Sequence, residues 1–106
     1  MPAVVDRPEK TFHPAASSLD LATILKTLGD PVRLEIVRLL ADGRPRLCGE
    51  IADTVGLPMS TSSYHLRLLR EAGVTRSRAA GTQRYITVRR DDLDARFPGL
   101  LQVLTR

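Results

Sequence analysis

The chain has 106 residues, of which 42% are hydrophobic and 26% charged, an ordinary globular composition with room for one domain. A single cysteine, Cys48, excludes an internal disulfide, and no apolar run approaches the roughly 20 residues that span a bilayer, so no membrane contact is expected. The formal net charge is +4, and the basic charge is concentrated in residues 60–90, which hold seven Arg and one acid. Such a concentration is typical of a protein that binds a polyanion, although a solvated basic face has the same composition.

The start of the chain differs in composition from the rest. Residues 1–16 contain three prolines and mixed charge without an apolar period. They are predicted to be a flexible N-terminal arm, and residues 17–106 to be the folded domain. No continuous apolar segment here has the length of a signal peptide, which leads us to expect a cytoplasmic protein.

Two helices are predicted at the start of the domain. Apolar residues recur at helical spacing after Ser17 and Ser18, either of which can cap a helix, and Gly29 can end it. Asp30 and Pro31 then supply an N-cap and a first helical position for a second helix. That helix is apolar over a wide stripe, which predicts a central position in the core. Its charged side chains are expected to face outwards: Arg33, Glu35 and Arg38.

A helix-turn-helix is predicted next. Residues 44–47 are too few for a helix and can form a short strand, and residues 48–55 have the apolar spacing of a third helix. Gly56 can take the left-handed conformation that ends this helix. A fourth helix runs from Ser60, its predicted cap, to about Ala72. Three residues of this helix fall on one inner edge: Ser62, Leu66 and Leu69.

Residues 74–89 alternate in polarity around a glycine-containing tip, which predicts a two-stranded β-hairpin. A short helical turn and a final apolar helix over residues 100–104 follow. The predicted fold is therefore mainly α with a small β-hairpin, a winged helix-turn-helix of order α-α-β-α-α-β-β-α. In the second hairpin strand, one face is expected to carry Tyr85, Thr87 and Arg89, and the other Ile86 and Val88.

The outer side of the fourth helix indicates binding to double-stranded DNA. Short hydroxyl side chains allow a helix to lie deep in a major groove, which is about 12 Å wide. Arg67 is the best candidate for a guanine contact, and Tyr64 can meet a phosphate or a thymine methyl group. A serine-rich cluster can also be only a capping sequence, but the tight turn and the hairpin around it favour DNA contact. The predicted contacts on this helix are Ser60, Thr61, Ser63, Tyr64 and Arg67.

The hairpin is predicted to contact DNA as well. A flexible tip that carries arginine can reach the minor groove, where narrow A·T-rich tracts attract it. The alternative is that these side chains face solvent and give only non-specific attraction. The candidate residues are Arg78, Thr82, Gln83 and Arg84.

The chain resembles the winged helix-turn-helix repressors of the ArsR/SmtB family in three stretches: LGDPVRLEIVRLLADG, LCGEIADTVGLPMSTSSYHLRLLREAGV and GTQRYITVR. The resemblance covers about residues 19–90, and the serine-rich stretch that closes on LREAGV is its most specific part. It implies a bacterial or archaeal regulator, usually a repressor released by a ligand, that binds a near-palindromic operator as a homodimer. It also implies a dimer interface built from the first and last helices, here Leu21, Leu25, Leu100, Leu101 and Leu104.

The sequence departs from the metal-sensing members of that family. Aligning Glu50 with the acid of their C-V-C-D-L step places Leu47 and Gly49 at the two cysteine positions, so this thiolate site is absent. Residues 91–106 contain no His, so the zinc site of the last helix is absent too. No cofactor is evident, the metal ligands are unknown, and a metal ion or small-molecule effector elsewhere is left open. The alternative is a DNA-binding subunit whose sensing lies in a separate sensor or co-regulator protein.

Three further residues could carry chemistry, and each has a simpler interpretation. Cys48 could be a redox or metal residue, but a lone cysteine is more often a small buried hydrophobe. His65 lies on the fourth helix, where packing or hydrogen bonding is favoured over metal ligation. His13 could join acids in a hard-metal site, although nothing in the sequence fixes its geometry. The sequence lacks the motifs of the common enzyme classes, so no enzymatic activity is expected.

Overall fold

The computed structural model describes residues 12–106, and residues 1–11 of the predicted arm lie outside the described residues. A 3-10 turn over Ala16–Ser18 precedes six helices and three strands in this part of the chain. The helices are α1 (Leu21–Leu28), α2 (Pro31–Leu40), α3 (Cys48–Val55), α4 (Met59–Glu71), α5 (Arg90–Arg96) and α6 (Leu100–Leu104). The strands are β1 (Arg46–Leu47), β2 (Thr75–Ala80) and β3 (Gln83–Val88). This order confirms the winged helix-turn-helix prediction.

The sheet is antiparallel, with β3 between β1 and β2. The pleat gives β3 two different faces, since Ile86 and Val88 are buried while Tyr85 and Thr87 are half-buried. Arg89 was expected to continue the Tyr85 face, and that expectation is wrong. The strand ends before Arg89, which precedes α5 and is only 4% exposed.

The predicted cap of α1 is corrected, and that of α2 is confirmed. Asp20, not Ser17 or Ser18, caps α1, because its Oδ2 accepts a hydrogen bond from the Thr23 amide at 2.9 Å. The reason is that Leu19 adopts an extended backbone and buries its side chain, so the helix cannot begin earlier. Asp30 caps α2 as predicted, since its Oδ1 accepts from the Val32 amide at 2.8 Å.

The fourth helix also begins earlier than predicted. Ser60 is its second residue rather than its cap, because α4 starts at Met59. Pro58 takes the N-cap position with ψ 151°, and its carbonyl accepts from the Ser62 amide at 3.0 Å. The hydroxyl of Ser60 is therefore released from a capping role and lies on an exposed residue.

The core of the described chain is aliphatic. Residues from α1, α2, α3, α4, the sheet, α5 and α6 meet in one buried cluster. Leu101 belongs to this cluster and is 1% exposed. The prediction that Leu101 lies at a dimer interface is therefore wrong, because a side chain buried within its own protomer has no surface to offer a partner. No helix within residues 12–106 is both long and apolar enough to cross a membrane.

The chain before α1 is attached to the domain from Phe12 onwards. The Phe12 carbonyl accepts from Arg70 Nε at 3.0 Å, and the Pro14 carbonyl accepts from Arg89 Nη1 at 2.8 Å. Between them, His13 Nε2 accepts from the Ser77 amide at 3.0 Å. Residues 12–16 are thus hydrogen-bonded to the body of the protein, and the assignment of these five residues to a flexible arm is corrected.

A buried ion pair connects this N-terminal segment to α5. Arg89 Nε and Nη2 lie 3.0 and 2.9 Å from Asp92 Oδ2, while Arg89 Nη1 donates to the Pro14 carbonyl. The hydrogen bond from Arg89 lowers the pKa of Asp92 below its usual range, an effect that burial opposes and the charges of Arg89 and Arg76 reinforce. The carboxylate thus neutralises a guanidinium that has almost no contact with water.

Replacing Asp92 with Asn should therefore lower the free energy of unfolding near neutral pH by about 1–3 kcal/mol, because a buried charge loses its partner. The folded-state pKa of Asp92 is depressed, so this stabilisation is present above the unfolded-state pKa and disappears as the pH falls through the folded-state value. Urea unfolding at several pH values from about 7 down to about 2 follows this loss. Asp94→Asn, on an exposed position of the same helix, is the control, and an equal loss in the two variants would contradict the prediction.

Candidate nucleic-acid interface

A three-residue turn fixes the angle between α3 and α4. Gly56 has φ 73° and ψ 35°, the left-handed conformation that the sequence predicts for it. The Leu57 amide donates to the Ala52 carbonyl at 3.0 Å, which closes the end of α3, and Pro58 starts α4. The chain therefore reverses within one turn and presents α4 at the surface, as a helix-turn-helix requires.

The inner edge of α4 is buried as predicted. Ser62 and Leu69 are 0% exposed and Leu66 is 6% exposed. Burial of this edge leaves the opposite side of the helix in contact with solvent. All five residues predicted to contact DNA from this helix are exposed: Ser60, Thr61, Ser63, Tyr64 and Arg67.

Arg67 lies along this outer face. Its guanidinium is 5.5 Å from the centre of the Tyr64 ring, and its Nη1 is 3.5 Å from Glu71 Oε2. The side chain of Arg67 is half exposed to water, so its ion pair with Glu71 contributes little net energy. The guanidinium is therefore held beside the helix by weak contacts that a base edge or a phosphate can replace.

His65 has a structural role that its sequence position did not reveal. Arg33 Nη1 donates to His65 Nδ1 at 3.1 Å, while Arg33 Nε donates to the Thr27 carbonyl at 2.7 Å. The hydrogen-bonding interpretation of His65 is confirmed, and the expectation that Arg33 faces outwards is wrong. Arg33 instead joins the end of α1, the start of α2 and the middle of α4. Its partner is 32 residues away in sequence, so no local pattern could indicate the contact.

The hairpin turns on two residues, Gly81 and Thr82, where Gly81 has φ 65°. The strands therefore pair up to the turn itself, where Ala80 pairs with Gln83. Thr82 and Gln83 are exposed at this tip. Arg78 is also exposed, and its guanidinium lies 5.7 Å from the centre of the Tyr85 ring on the outer face of the sheet.

Arg84 is not part of the exposed tip, and it lies on the opposite face of the hairpin from Arg78. It lies on the face of β3 that carries Ile86, because side chains alternate along a strand. Its Nε donates to Ser77 Oγ at 2.9 Å, and the residue is half-buried. The grouping of Arg84 with a flexible tip is thus corrected: its side chain points towards α4, into the cleft between the helix and the hairpin.

Cys48 stands at the start of α3, beside Arg84. It is half-buried, and burial raises the pKa of its thiol above the usual range, although the nearby charge of Arg84 acts in the opposite direction. Its thiol is therefore protonated at neutral pH and forms a neutral wall of the cleft. Within residues 12–106, no three or more His, Cys, Asp or Glu side chains come together in a group that could hold a metal ion.

An apolar surface lies on α1 and α6. Leu21 and Leu25 are 41% and 47% exposed, and Val103 is 60% exposed. Leu21, Leu100 and Val103 line one shallow depression, which shows that the two helices contribute to the same surface. We call Leu21, Leu25, Leu100, Val103 and Leu104 the terminal apolar face. Val103 belongs to the apolar run of residues 100–104, but the interface residues predicted from the sequence did not include it.

Comparisons with known proteins agree with this geometry. A family model described as a helix-turn-helix domain matches residues 28–78. Over 84 residues the chain is 38% identical to YceK of Bacillus subtilis, a helix-turn-helix transcriptional regulator, and the match covers 78% of this chain and 84% of YceK. A solved structure from Mycobacterium bovis, described as a homodimeric winged helix-turn-helix DNA-binding domain and a possible ArsR-family transcriptional regulator, is 34% identical. It superimposes with a TM-score of 0.67 over 79% of this chain and 76% of that one.

The chain belongs to the winged helix-turn-helix transcriptional regulators of the ArsR type. The transcriptional repressor BigR from Xylella fastidiosa has the same fold, with a TM-score of 0.65, 32% identity and coverage of 79% of this chain and 81% of BigR. In this ArsR-type regulator, α4 occupies the position of the recognition helix and the β2–β3 hairpin that of the wing.

Two glycines follow the two helices of the helix-turn-helix, Gly56 after α3 and Gly73 after α4, and they should differ in their tolerance of alanine. Both have positive φ, 73° at Gly56 and 86° at Gly73. Gly56→Ala should lower the free energy of unfolding by about 1–2 kcal/mol, because the left-handed backbone alone opposes it and no atom lies within 4 Å of the new Cβ.

Gly73→Ala should cost about 1–3 kcal/mol more than Gly56→Ala, because its Cβ would lie 2.0 Å from Cδ2 of the buried Leu19. Chemical denaturation of the two variants in parallel measures the difference. Equal losses would show that Leu19 moves aside freely.

Proposed function

We propose that this ArsR-type regulator is a sequence-specific DNA-binding repressor that binds a near-palindromic operator as a homodimer. One observation carries the proposal: the exposed side of α4 presents small hydroxyls, a tyrosine and an arginine, while its inner edge is locked into the core. A helix with this division can enter a major groove without losing its packing on the domain.

The residues of the recognition helix have different tasks in this proposal. Ser60, Thr61 and Ser63 are short, which lets the helix axis approach the base edges and lets their hydroxyls serve bases or phosphates. Tyr64 reaches a phosphate or a thymine methyl group. Arg67 leaves Glu71 and reads guanine through its two-pronged guanidinium, the commonest specific contact in a major groove.

The hairpin adds contacts on both of its sides. Thr82 and Gln83 at the tip reach the adjacent minor groove, and Arg78 on the outer face of the sheet adds positive charge there. Arg84, on the inner face, meets the phosphate backbone that passes between the recognition helix and the wing. Such backbone contacts hold the protein in register and carry no sequence information of their own.

The terminal apolar face provides the contact between two subunits. This face has three exposed apolar residues, Leu21, Leu25 and Val103, beside the half-buried Leu100 and Leu104. Such a cluster needs a cover, and a second copy of the same face supplies one with two-fold symmetry. The M. bovis domain of this family is described as homodimeric. A two-fold dimer places its recognition helices one helical turn of DNA apart, about 34 Å, which predicts two inverted half-sites.

The repressor assignment rests on similarity to repressors of one species, Xylella fastidiosa. BigR is described as a transcriptional repressor, and a relative of 39% identity over 59 residues as a biofilm growth-associated repressor. A dimer that covers about one and a half turns of DNA blocks a promoter by occupancy alone, without any additional domain for contact with polymerase.

Arg67→Ala should weaken binding to the cognate site by about 1–3 kcal/mol and binding to scrambled DNA by much less, because a bidentate base contact is lost only where the base is present. The cognate site is first selected from a randomised duplex pool, and affinities are then measured by fluorescence anisotropy at several salt concentrations.

Arg44→Ala is the matched control for Arg67. It removes the same charge from an exposed side chain that precedes β1, at the end of the sheet away from the hairpin tip. This variant should bind both DNAs almost as the wild type does. Equal losses on cognate and scrambled DNA for Arg67→Ala would show that Arg67 contacts phosphate instead of a base.

Val103→Glu should dissociate the dimer, because it places a charge in the middle of an apolar contact. Sedimentation velocity at micromolar concentration should show a dimer for the wild type and a monomer for this variant. Gln102→Glu changes the exposed neighbouring residue of α6 and should remain dimeric. A wild-type chain that sediments only as a monomer, or a Val103→Glu chain that stays dimeric, would remove this face from the interface.

A further inference from the structure

Two adjoining chambers lie between the recognition helix and the wing. The outer chamber has a volume of about 430 Å³ and the inner one of about 110 Å³. They share three lining residues, Cys48, Ser63 and Arg84. We call the two chambers together the wing cleft.

The chambers differ in chemistry. Leu47, Met59 and the neutral thiol of Cys48 form an apolar wall in the outer chamber, and Met59 is 50% exposed there. The lining of the inner chamber includes three arginines and three hydroxyl-bearing residues beside the apolar Leu66 and Ile86: Arg67, Arg70, Arg84, Ser63, Thr75 and Ser77. One cleft therefore joins an apolar compartment to a small compartment rich in positive charge and hydrogen-bond donors.

We propose that the wing cleft is the effector site of this regulator and binds a small amphipathic carboxylate, with the carboxylate in the inner chamber and the apolar body in the outer one. An outer volume of about 430 Å³ falls within the range of ligand pockets, roughly 300–1,000 Å³. The inner chamber, about 110 Å³, accepts a group of the size of a carboxylate but not the body of the ligand.

Charge determines the orientation of the ligand. Glu50 lines the outer chamber, where its Oε1 accepts from the Leu47 amide at 2.9 Å, and its negative charge repels a second carboxylate. Arg84 and Arg70 attract the carboxylate of the ligand to the inner chamber. Arg84 is held there by its hydrogen bond to Ser77 Oγ, which fixes a guanidinium on the buried side of the hairpin before any ligand arrives.

Ligand and DNA use the same side chains. Ser63 and Gln83 line the outer chamber and are both exposed on the surface proposed to face DNA. A molecule in the cleft occupies the path of the phosphate backbone between helix and wing and removes Arg84 from it. Binding of the carboxylate and of DNA is then mutually exclusive, and the ligand releases the operator. This regulatory step rests on the proposed function, whereas binding of the carboxylate does not.

The binding test uses the DNA-free full chain and isothermal titration calorimetry. Octanoate and phenylacetate are the probes, one with an aliphatic and one with an aromatic body. Octanol and acetate represent the body and the carboxylate alone, and inorganic phosphate represents the DNA backbone. We expect saturable binding of a carboxylate probe and about tenfold weaker binding of octanol, acetate and phosphate. No binding of either probe up to about 5 mM, or phosphate binding as tight as theirs, overturns the proposal.

Arg84→Gln and Arg78→Gln form a matched pair for this site. Both remove one charge from the hairpin, but Arg84 faces the cleft and Arg78 the outer side of the sheet. Arg84→Gln should weaken binding of the probe by about tenfold or more, and Arg78→Gln should leave it unchanged. Met59 is exposed, so Met59→Gln should leave the domain folded. This variant should weaken the binding of octanoate without affecting the binding of acetate. Equal affinities of wild type and Arg84→Gln overturn the site.

A final measurement separates the site from its regulatory role. The probe is titrated into the complex of wild-type protein with its selected DNA, and release is followed by anisotropy. Competition that disappears in Arg44→Ala, which should bind DNA almost as the wild type does, as well as in Arg84→Gln contradicts the cleft. If octanoate binds the free protein but does not release the DNA, the proposed regulation is wrong and the proposed binding site stands. A chain that binds octanoate through Arg84 but no DNA overturns the proposed function alone.

Discussion

Burial of one edge of α4 is the constraint on which the rest of this protein depends. Ser62, Leu66 and Leu69 are packed into the aliphatic core, so the rotation of the helix about its own axis is fixed. The rotation decides which side chains meet solvent, and hence which can meet DNA. Arg33 reinforces it through His65, because one guanidinium holds the middle of α4 and the junction of α1 with α2.

The arginines of this chain serve two different purposes, and composition alone does not separate them. Seven arginines lie between residues 60 and 90, which suggested a continuous basic surface. Arg89 is instead buried beside Asp92, and Arg90 donates to the Ala41 carbonyl within the domain. Arg67 and Arg78 remain exposed. Part of the basic charge therefore cross-links the fold, since guanidinium groups can satisfy several backbone carbonyls at once.

In the regulation proposed above, the cleft between α4 and the hairpin connects DNA binding to its effector. The pleat of β3 turns Arg84 inwards and, one residue later, turns Tyr85 outwards. A DNA contact and a ligand contact can therefore share one side chain without a conformational change elsewhere. Direct competition of this kind needs no second domain.

The sequence by itself determined the order of the elements, the helix-turn-helix and the exposed residues of α4. These features follow from local rules: glycine at Gly56, the Asp30-Pro31 start of α2, and helical and strand periods. The cap of α1, the burial of Leu101 and Arg89, the docking of residues 12–16 and the inward position of Arg84 were decided by the tertiary structure. Most of these features depend on residues distant in sequence, such as His13 with Ser77, 64 residues apart. Periodicity describes which face of an element is apolar, but only the packed chain decides what that face meets.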